Sequence, residues 1–178
     1  MRTLAERRVS AWAIEYPMEG TASGAAEVEN YVLADGSNTF TLGASAQNVT
    51  GGTGDDSIKS GALTTISGTL DGVSGNDTLT MEQSATLSAS LNNIDAVNLA
   101  NDVNLTTSIT NNALIVSALG ANTVTLSNAG AANGAAEVEN YVLANGANTF
   151  TVGASGQSVT GGSGDDSLKT GALATVSG

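Results

Sequence analysis

Three short segments of the chain combine glycine with aspartate in a pattern that suits the binding of a hard cation. Residues 51–59 and 161–169 follow the order Gly-Gly-x-Gly-x-Asp-x-apolar-x at every fixed position, and residues 72–80 depart from it only at Val73. Glycine permits tight turns that aim backbone carbonyls inward, and aspartate adds a charged oxygen. Carbonyl and carboxylate oxygens are the ligands that calcium and magnesium take in proteins. The segments therefore predict calcium sites.

The expected ligands lie at the first, third, fifth and sixth positions of each segment. Calcium takes roughly 6–8 oxygens, which is more than one loop provides, so two loops on successive coils are expected to share an ion. Loops 51–56 and 72–77 are spaced by about one coil and form the best pair, with Asp56 and Asp77 as acidic ligands. Loop 161–166 is expected to find its partner only beyond the last residue. The predicted metal ligands are Gly51, Thr53, Asp55, Asp56, Gly72, Ser74, Asn76, Asp77, Gly161, Ser163, Asp165 and Asp166.

The alternative interpretation of these segments is that Gly-Asp-Asp forms only a turn. A single loop leaves the two interpretations evenly matched. Three loops, each followed by a strand-like run, favour the metal.

Charge and composition narrow the function classes. Lys and Arg total 5 against 17 Asp and Glu, which gives a net charge of −12. The chain has no basic face for nucleic acid, and an anionic membrane surface would repel it. His and Cys are absent, which excludes disulfides, cysteine nucleophiles and His-based triads. No stretch approaches the roughly 20 apolar residues of a membrane span. We expect no catalytic activity, and we expect cations as partners.

A long internal repeat organises the chain. Residues 24–68 and 134–178 align without gaps and are identical at 35 of 45 positions, and the second copy starts 110 residues after the first. Shorter runs in which apolar and small polar residues alternate recur within this unit, and most start 7 to 11 residues apart. Alternation with a period of two is typical of half-buried strands, and fixed self-similarity is typical of solenoids.

These patterns predict an all-β fold, a parallel β-solenoid over residues 21–178 with two sheets and about 18–21 residues per coil. A β-sandwich also has short strands at such spacing, but it does not need a near-identical long repeat. Residues 1–20 differ from the rest. Thr3 and Glu6 have the spacing of a capping box, and Pro17 would end a helix near Tyr16. This segment is expected to be either a short helical cap or a leader.

The three nonapeptides resemble those of the repeats-in-toxin (RTX) family. The resemblance implies a parallel β-roll that folds on binding external calcium, and an extracellular or cell-surface location reached by type I secretion. The chain differs from the family in two ways: its nonapeptides are sparse, and no C-terminal secretion signal is visible.

The favoured function is a calcium-binding structural segment of a secreted bacterial surface protein, such as an adhesin stalk, a surface layer or a matrix filament, with end-to-end self-association into fibres. One alternative is an ice-binding solenoid, suggested by Thr-x-Thr pairs at 39/41, 78/80, 123/125 and 149/151. The other is a non-catalytic carrier module of a secreted toxin or a polysaccharide-active enzyme.

Overall fold

The strands of the molecule are the short runs in which apolar and polar residues alternate. In the run Thr39–Thr41, for example, Phe40 points inward and is fully buried between two half-buried threonines. The computed structural model describes residues 13–16 and 20–173. Over these residues the chain is a parallel β-solenoid of about 8 turns with almost no helix, which confirms the predicted fold class.

The early coils contain two strands each, and the middle coils contain three. The first two coils hold β1 (Ala13–Tyr16), β2 (Thr21–Ser23), β3 (Asn30–Leu33) and β4 (Thr39–Thr41). The next three coils hold β5 (Asn48–Thr50), β6 (Ser57–Lys59), β7 (Thr65–Ile66), β8 (Thr69–Asp71), β9 (Thr78–Met81), β10 (Ala85–Leu87), β11 (Ser90–Asn92), β12 (Ala96–Leu99) and β13 (Asn104–Thr107).

The sixth coil replaces one strand with a helical turn, and the last coils return to two strands each. The sixth coil holds α1 (Ile109–Asn112), β14 (Ile115–Ala118) and β15 (Thr123–Leu126). The remaining strands are β16 (Ala131–Asn133), β17 (Asn140–Val142), β18 (Asn148–Thr151), β19 (Ser158–Thr160) and β20 (Asp166–Lys169).

The strands stack into three faces and not into the two sheets that the sequence predicted. The first face is the sheet β1-β3-β5-β8-β11, the second is β2-β4-β6-β9-β12-β14, and the third is β7-β10-β13-β15-β17-β19. The third face begins where the linker between strands lengthens from residues 42–47 to residues 60–68. The added length accommodates β7, whose Ile66 is fully buried in the core.

The helical turn α1 separates the two sheets that make up the first face, β1-β3-β5-β8-β11 before it and β16-β18-β20 after it. It lies between β13 and β14, as β11 lies between β10 and β12 one coil earlier. Asn111 Nδ2 donates to the Ala89 carbonyl at 3.3 Å, and Asn112 Nδ2 donates to the Asn133 carbonyl at 2.8 Å. The helix thus bridges β11 to the three-stranded sheet β16-β18-β20, which continues the first face.

The two copies of the long repeat continue one stack but do not occupy the same faces. Strands β3 and β5 of the first copy lie on the first face, whereas their equivalents β17 and β19 lie on the third. Strands β4 and β6 lie on the second face, whereas β18 and β20 lie on the first. Each copy therefore rotates its strands by one face around the axis of the solenoid.

The N-terminal segment differs from the helical expectation where the structure describes it. Residues 13–16 form β1, which pairs in parallel with β3 in the register Ala13 to Asn30. Strand pairing on the open edge of the first coil competes with a local helix there. The remainder of the expected cap, residues 1–12 and 17–19, lies outside the described residues.

Candidate metal centre at one corner of the solenoid

The first two glycine–aspartate loops lie on adjacent coils at the corner between the first and second faces. Loop 51–56 connects β5 to β6, and loop 72–77 connects β8 to β9. Thr53 and Ser74 form a parallel bridge, and Gly54 N–H donates to the Ser74 carbonyl at 2.8 Å. The predicted pairing of these two loops is therefore present in the structure.

A column of side chains at this corner joins successive coils through backbone amides. The Asn38 N–H donates to Asp56 Oδ1 at 2.9 Å, the Asp56 N–H donates to Asp77 Oδ1 at 2.7 Å, and the Asp77 N–H donates to Asp95 Oδ2 at 2.8 Å. Each carboxylate thus accepts the N–H of the preceding coil. We call these four residues the corner column. Its hydrogen bonds give the sixth-position aspartates a structural role that needs no metal.

The first glycine of each nonapeptide makes room for the aspartate five residues later. A Cβ on Gly51, Gly72 or Gly161 would meet Oδ2 of Asp56, Asp77 or Asp166 at a distance that real Cβ atoms do not show. The spacing from glycine to aspartate therefore has a steric cause: the carboxylate folds back over its own loop.

The second position explains the one departure from the pattern. A Cβ on Gly52 would collide with the carbonyl of Ala34 in the coil below, and a Cβ on Gly162 would collide with that of Ala144. Val73 avoids such a collision because its backbone is left-handed, with φ 71°, and its side chain is 44% exposed.

Asp56 and Asp77 are both buried but are not equally satisfied. Asp56 is 2% exposed. Its Oδ1 also accepts Asn38 Nδ2 at 2.9 Å, and its Oδ2 accepts the Gly52 N–H at 3.2 Å. Asp77 is 1% exposed, and its Oδ2 has no hydrogen-bond partner among the described residues. A buried carboxylate oxygen without a partner is costly, so Asp77 calls for a proton or a cation.

The surroundings of Asp77 oppose its negative charge. Burial raises the pKa of Asp77 above its ordinary value, and the carboxylates of Asp56, Asp95 and Asp55 raise it further, against the lowering effect of the hydrogen bond from the Asp56 N–H. A bound cation would remove both the desolvation cost and the repulsion between carboxylates.

The other predicted ligands contribute mainly to coil stacking. The Thr53 carbonyl accepts the Gly36 N–H, the Ser74 carbonyl accepts that of Gly54, and the carboxylate of Asp55 accepts that of Asn76 at 2.8 Å. Carbonyl oxygens keep a second lone pair, so Thr53 and Ser74 remain suited to an ion. No three acidic side chains of the described residues converge on one point. Any ion would draw most of its ligands from carbonyls and water.

Loop 161–166 lies at the equivalent corner of the second copy. The Ser163 N–H donates to Asn145 Oδ1 at 2.9 Å, and Asn148 Nδ2 donates to Asp166 Oδ1 at 2.6 Å. Among the described residues this loop has a coil on one side only, and Asp165 and Asp166 are exposed. The calcium ligands that the sequence predicted at this loop stay a prediction.

Sequence reasoning missed three members of this corner: Asn38, Asn93 and Asp95. A signal was present for the first, because Gly36, Asn38 and Phe40 have the spacing of the glycine at the fourth position, the aspartate and the apolar residue of a nonapeptide. Asn148 repeats it in the second copy. Asp95 and Val97 also keep the spacing of the aspartate and the apolar residue, but the turn at 93–95 has none of the glycines of the pattern, so only the structure places it beside loop 72–77.

Comparison with known proteins adds no family to this picture. No family model matches the chain, and neither a curated protein nor a solved structure does so. Among residues 13–16 and 20–173, no helix is long and apolar enough to cross a membrane.

Proposed function

We propose that this chain is a structural repeat segment of a secreted bacterial surface protein, such as an adhesin stalk, a surface layer or a matrix filament. The observation that supports this role is the continuity of the two copies, whose equivalent strands stack into one solenoid. Near-identical repetition adds coils with the same core and the same corners. It builds length, and it does not assemble a unique active site.

The dimensions suit a spacer. One copy of 110 residues spans five full coils and two of the three faces of the next coil. At about 4.8 Å per coil, each copy contributes roughly 27 Å along the axis. Among the described strands, β2 and β20 have a neighbouring strand on one side only, which supports the further proposal of end-to-end association into fibres. The proposal assigns no catalytic step to these residues.

We further propose that calcium binds the corner between the first and second faces and is linked to folding. Six carboxylates lie along this edge, those of Asp35, Asp55, Asp56, Asp71, Asp77 and Asp95. After residue 9 the only positive side chains are Lys59 and Lys169, and Lys59 lies 3.9 Å from Glu82. Within residues 13–16 and 20–173, no basic side chain is available to neutralise the edge, and an external divalent ion is the natural counter-charge. Calcium-rich surroundings agree with secretion, as the RTX resemblance implies.

Thermal unfolding followed by circular dichroism, in chelator and in calcium, tests the calcium part. A ligand at ten times its Kd stabilises the folded state by about 1.4 kcal/mol, so the midpoint is expected to rise with calcium and less with magnesium. An identical midpoint and an identical β content in chelator and in 10 mM calcium would refute calcium binding. They would leave the spacer role standing.

Ice binding is the second candidate, and one observation favours it. The outward residues Thr65, Thr86, Thr106 and Thr125 are direct register partners on the third face. They form a threonine column across four coils. The four Thr-x-Thr pairs noted in the sequence are distributed over all three faces and do not form one array. Thermal hysteresis of ice growth measures this function directly, and its absence at millimolar protein would reject it.

A further inference from the structure

The unsatisfied oxygen of Asp77 does not face the neighbouring nonapeptide. It faces Gly72 of its own loop, and the carbonyl oxygen of Asn93 faces the same space: each lies under 3.0 Å from the place where a Cβ of residue 72 would be. Asn93 belongs to the turn that joins β11 to β12, one coil further along. The oxygen-lined space is therefore on the far side of loop 72–77 from loop 51–56.

Two acceptor oxygens that face each other need a positive charge or a proton between them. A carbonyl cannot donate a hydrogen bond, so Asn93 cannot satisfy Asp77 Oδ2. Asp95 adds a second carboxylate at the same place, because its Oδ2 already accepts the Asp77 N–H at 2.8 Å. Asp95 and Asn93 are exposed, which gives an ion and its water ligands a path from solvent.

The gap on the other side of loop 72–77 has a comparable carbonyl, that of Gly72 near Asp56 Oδ2, but it has no carboxylate oxygen without a donor. There Asp77 Oδ1 is occupied by the Asp56 N–H at 2.7 Å, and both oxygens of Asp56 accept hydrogen bonds. Asp56 gains little from a cation, because its carboxylate already has donors on each oxygen.

We propose that the cation of this edge binds between loop 72–77 and the turn 93–95, with Asp77, the Asn93 carbonyl and Asp95 as its protein ligands, and not between the two nonapeptides. This inference rests on the proposed calcium binding and changes its location. With three protein ligands and the remainder water, the expected Kd is in the range of weak extracellular modules, about 10⁻⁴–10⁻³ M.

Calcium titration calorimetry on the full chain and on four aspartate-to-asparagine variants tests the location. Each substitution at the corner keeps the oxygen that accepts the corner-column hydrogen bond, so the corner column is retained; Asp56→Asn gives up only the longer bond from the Gly52 N–H, at 3.2 Å. Asp77→Asn and Asp95→Asn are each expected to weaken calcium binding at least tenfold. Asp56→Asn discriminates between the two gaps, and it is expected to change the Kd for calcium less than twofold. Asp102→Asn, at a different corner, is the matched control for net charge.

The outcomes separate the inference from the function on which it rests. Loss of binding in Asp56→Asn and Asp77→Asn, with binding kept in Asp95→Asn, would place the ion between the nonapeptides and overturn the inference alone. Absence of binding by the unmodified chain at 10 mM calcium would overturn the inference and the calcium proposal together. In that case Asp77 holds a proton, and Asp77→Asn, whose amide can donate to the Asn93 carbonyl, would be as stable as the parent chain or more so.

Discussion

Replacing Val73 with glycine tests the corner geometry most directly, because the expected sign is unusual. Val73 occupies the second position of its nonapeptide with φ 71°. A left-handed backbone costs an ordinary L-residue about 1–2 kcal/mol, and a β-branched side chain tolerates it poorly. The side chain is 44% exposed, so its removal loses little buried surface.

The expected change in the free energy of unfolding is the backbone strain that the substitution removes, minus the stability lost because glycine increases the entropy of the unfolded chain. That entropy amounts to about 0.4–1 kcal/mol. Val73→Gly should therefore stabilise the fold by about 0.5–1 kcal/mol, whereas glycine substitutions within a strand destabilise it. The backbone hydrogen bond from the Val73 N–H to Asp71 Oδ1, at 3.0 Å, is kept in the variant.

Urea unfolding of the two variants Val73→Gly and Val116→Gly provides the assay. Val116 lies in β14, where the register with β12 shifts, and is 51% exposed; it matches Val73 in type and exposure, and its φ is not positive. Its replacement should lower stability by about 0.5–1 kcal/mol. At equal m-values, the two midpoints should move in opposite directions. Equal destabilisation of both variants would show that residue 73 is not held in the left-handed region.

Three further outcomes are expected. Ile66→Ala should destabilise by about 2–4 kcal/mol, because Ile66 is fully buried on the third face, whereas Leu119→Ala at a 61% exposed site should change stability by less than about 0.5 kcal/mol; equal effects in urea unfolding would argue against a third face. Because the pKa of Asp77 is raised in the folded state, its contribution is fully present below pH 3.8 and is lost as pH rises through the folded-state value. In chelator the parent chain should therefore lose stability relative to Asp77→Asn as pH increases, and parallel curves would contradict the raised pKa. Appending a further copy of residues 69–178 after residue 178 keeps the repeat in phase, and X-ray scattering should show a maximum dimension longer by roughly 27 Å; an unchanged dimension would refute the spacer role.

Much of the solenoid follows from the sequence because its determinants are local. Alternation places Phe40, Ile58 and Leu79 in the core, and the spacing of the nonapeptides brings loops 51–56 and 72–77 together on adjacent coils. These features depend only on strand periodicity and on coil length, which a single sequence displays.

The number of faces could not be predicted in the same way. Alternation shows which side of a strand is buried but not which sheet the strand joins, because that depends on the angle at each corner. The strand β7 has only two residues, and α1 has only four, so neither is long enough to show a period. Gln47 shows what sets a corner: its Oε1 accepts the Gly43 N–H, and its Nε2 donates to the Ala25 and Val28 carbonyls. Such contacts appear only once the coils are stacked.

The sequence also predicts the position of the aspartates but not the hydrogen bonds that each carboxylate receives. The pattern identifies Asp56 and Asp77 as equivalent, yet one carboxylate has donors on both oxygens and the other has a buried oxygen with none among the described residues. The difference arises at the second position of each loop. The Gly52 N–H donates to Asp56 Oδ2, whereas the equivalent N–H of Val73 donates to Asp71 Oδ1 and leaves Asp77 Oδ2 without a donor. Hydrogen bonds alone therefore complete the first gap of the corner, and the second needs a cation or a proton. Calcium dependence is thus expected to arise at one gap of the solenoid, and not at every copy of the motif.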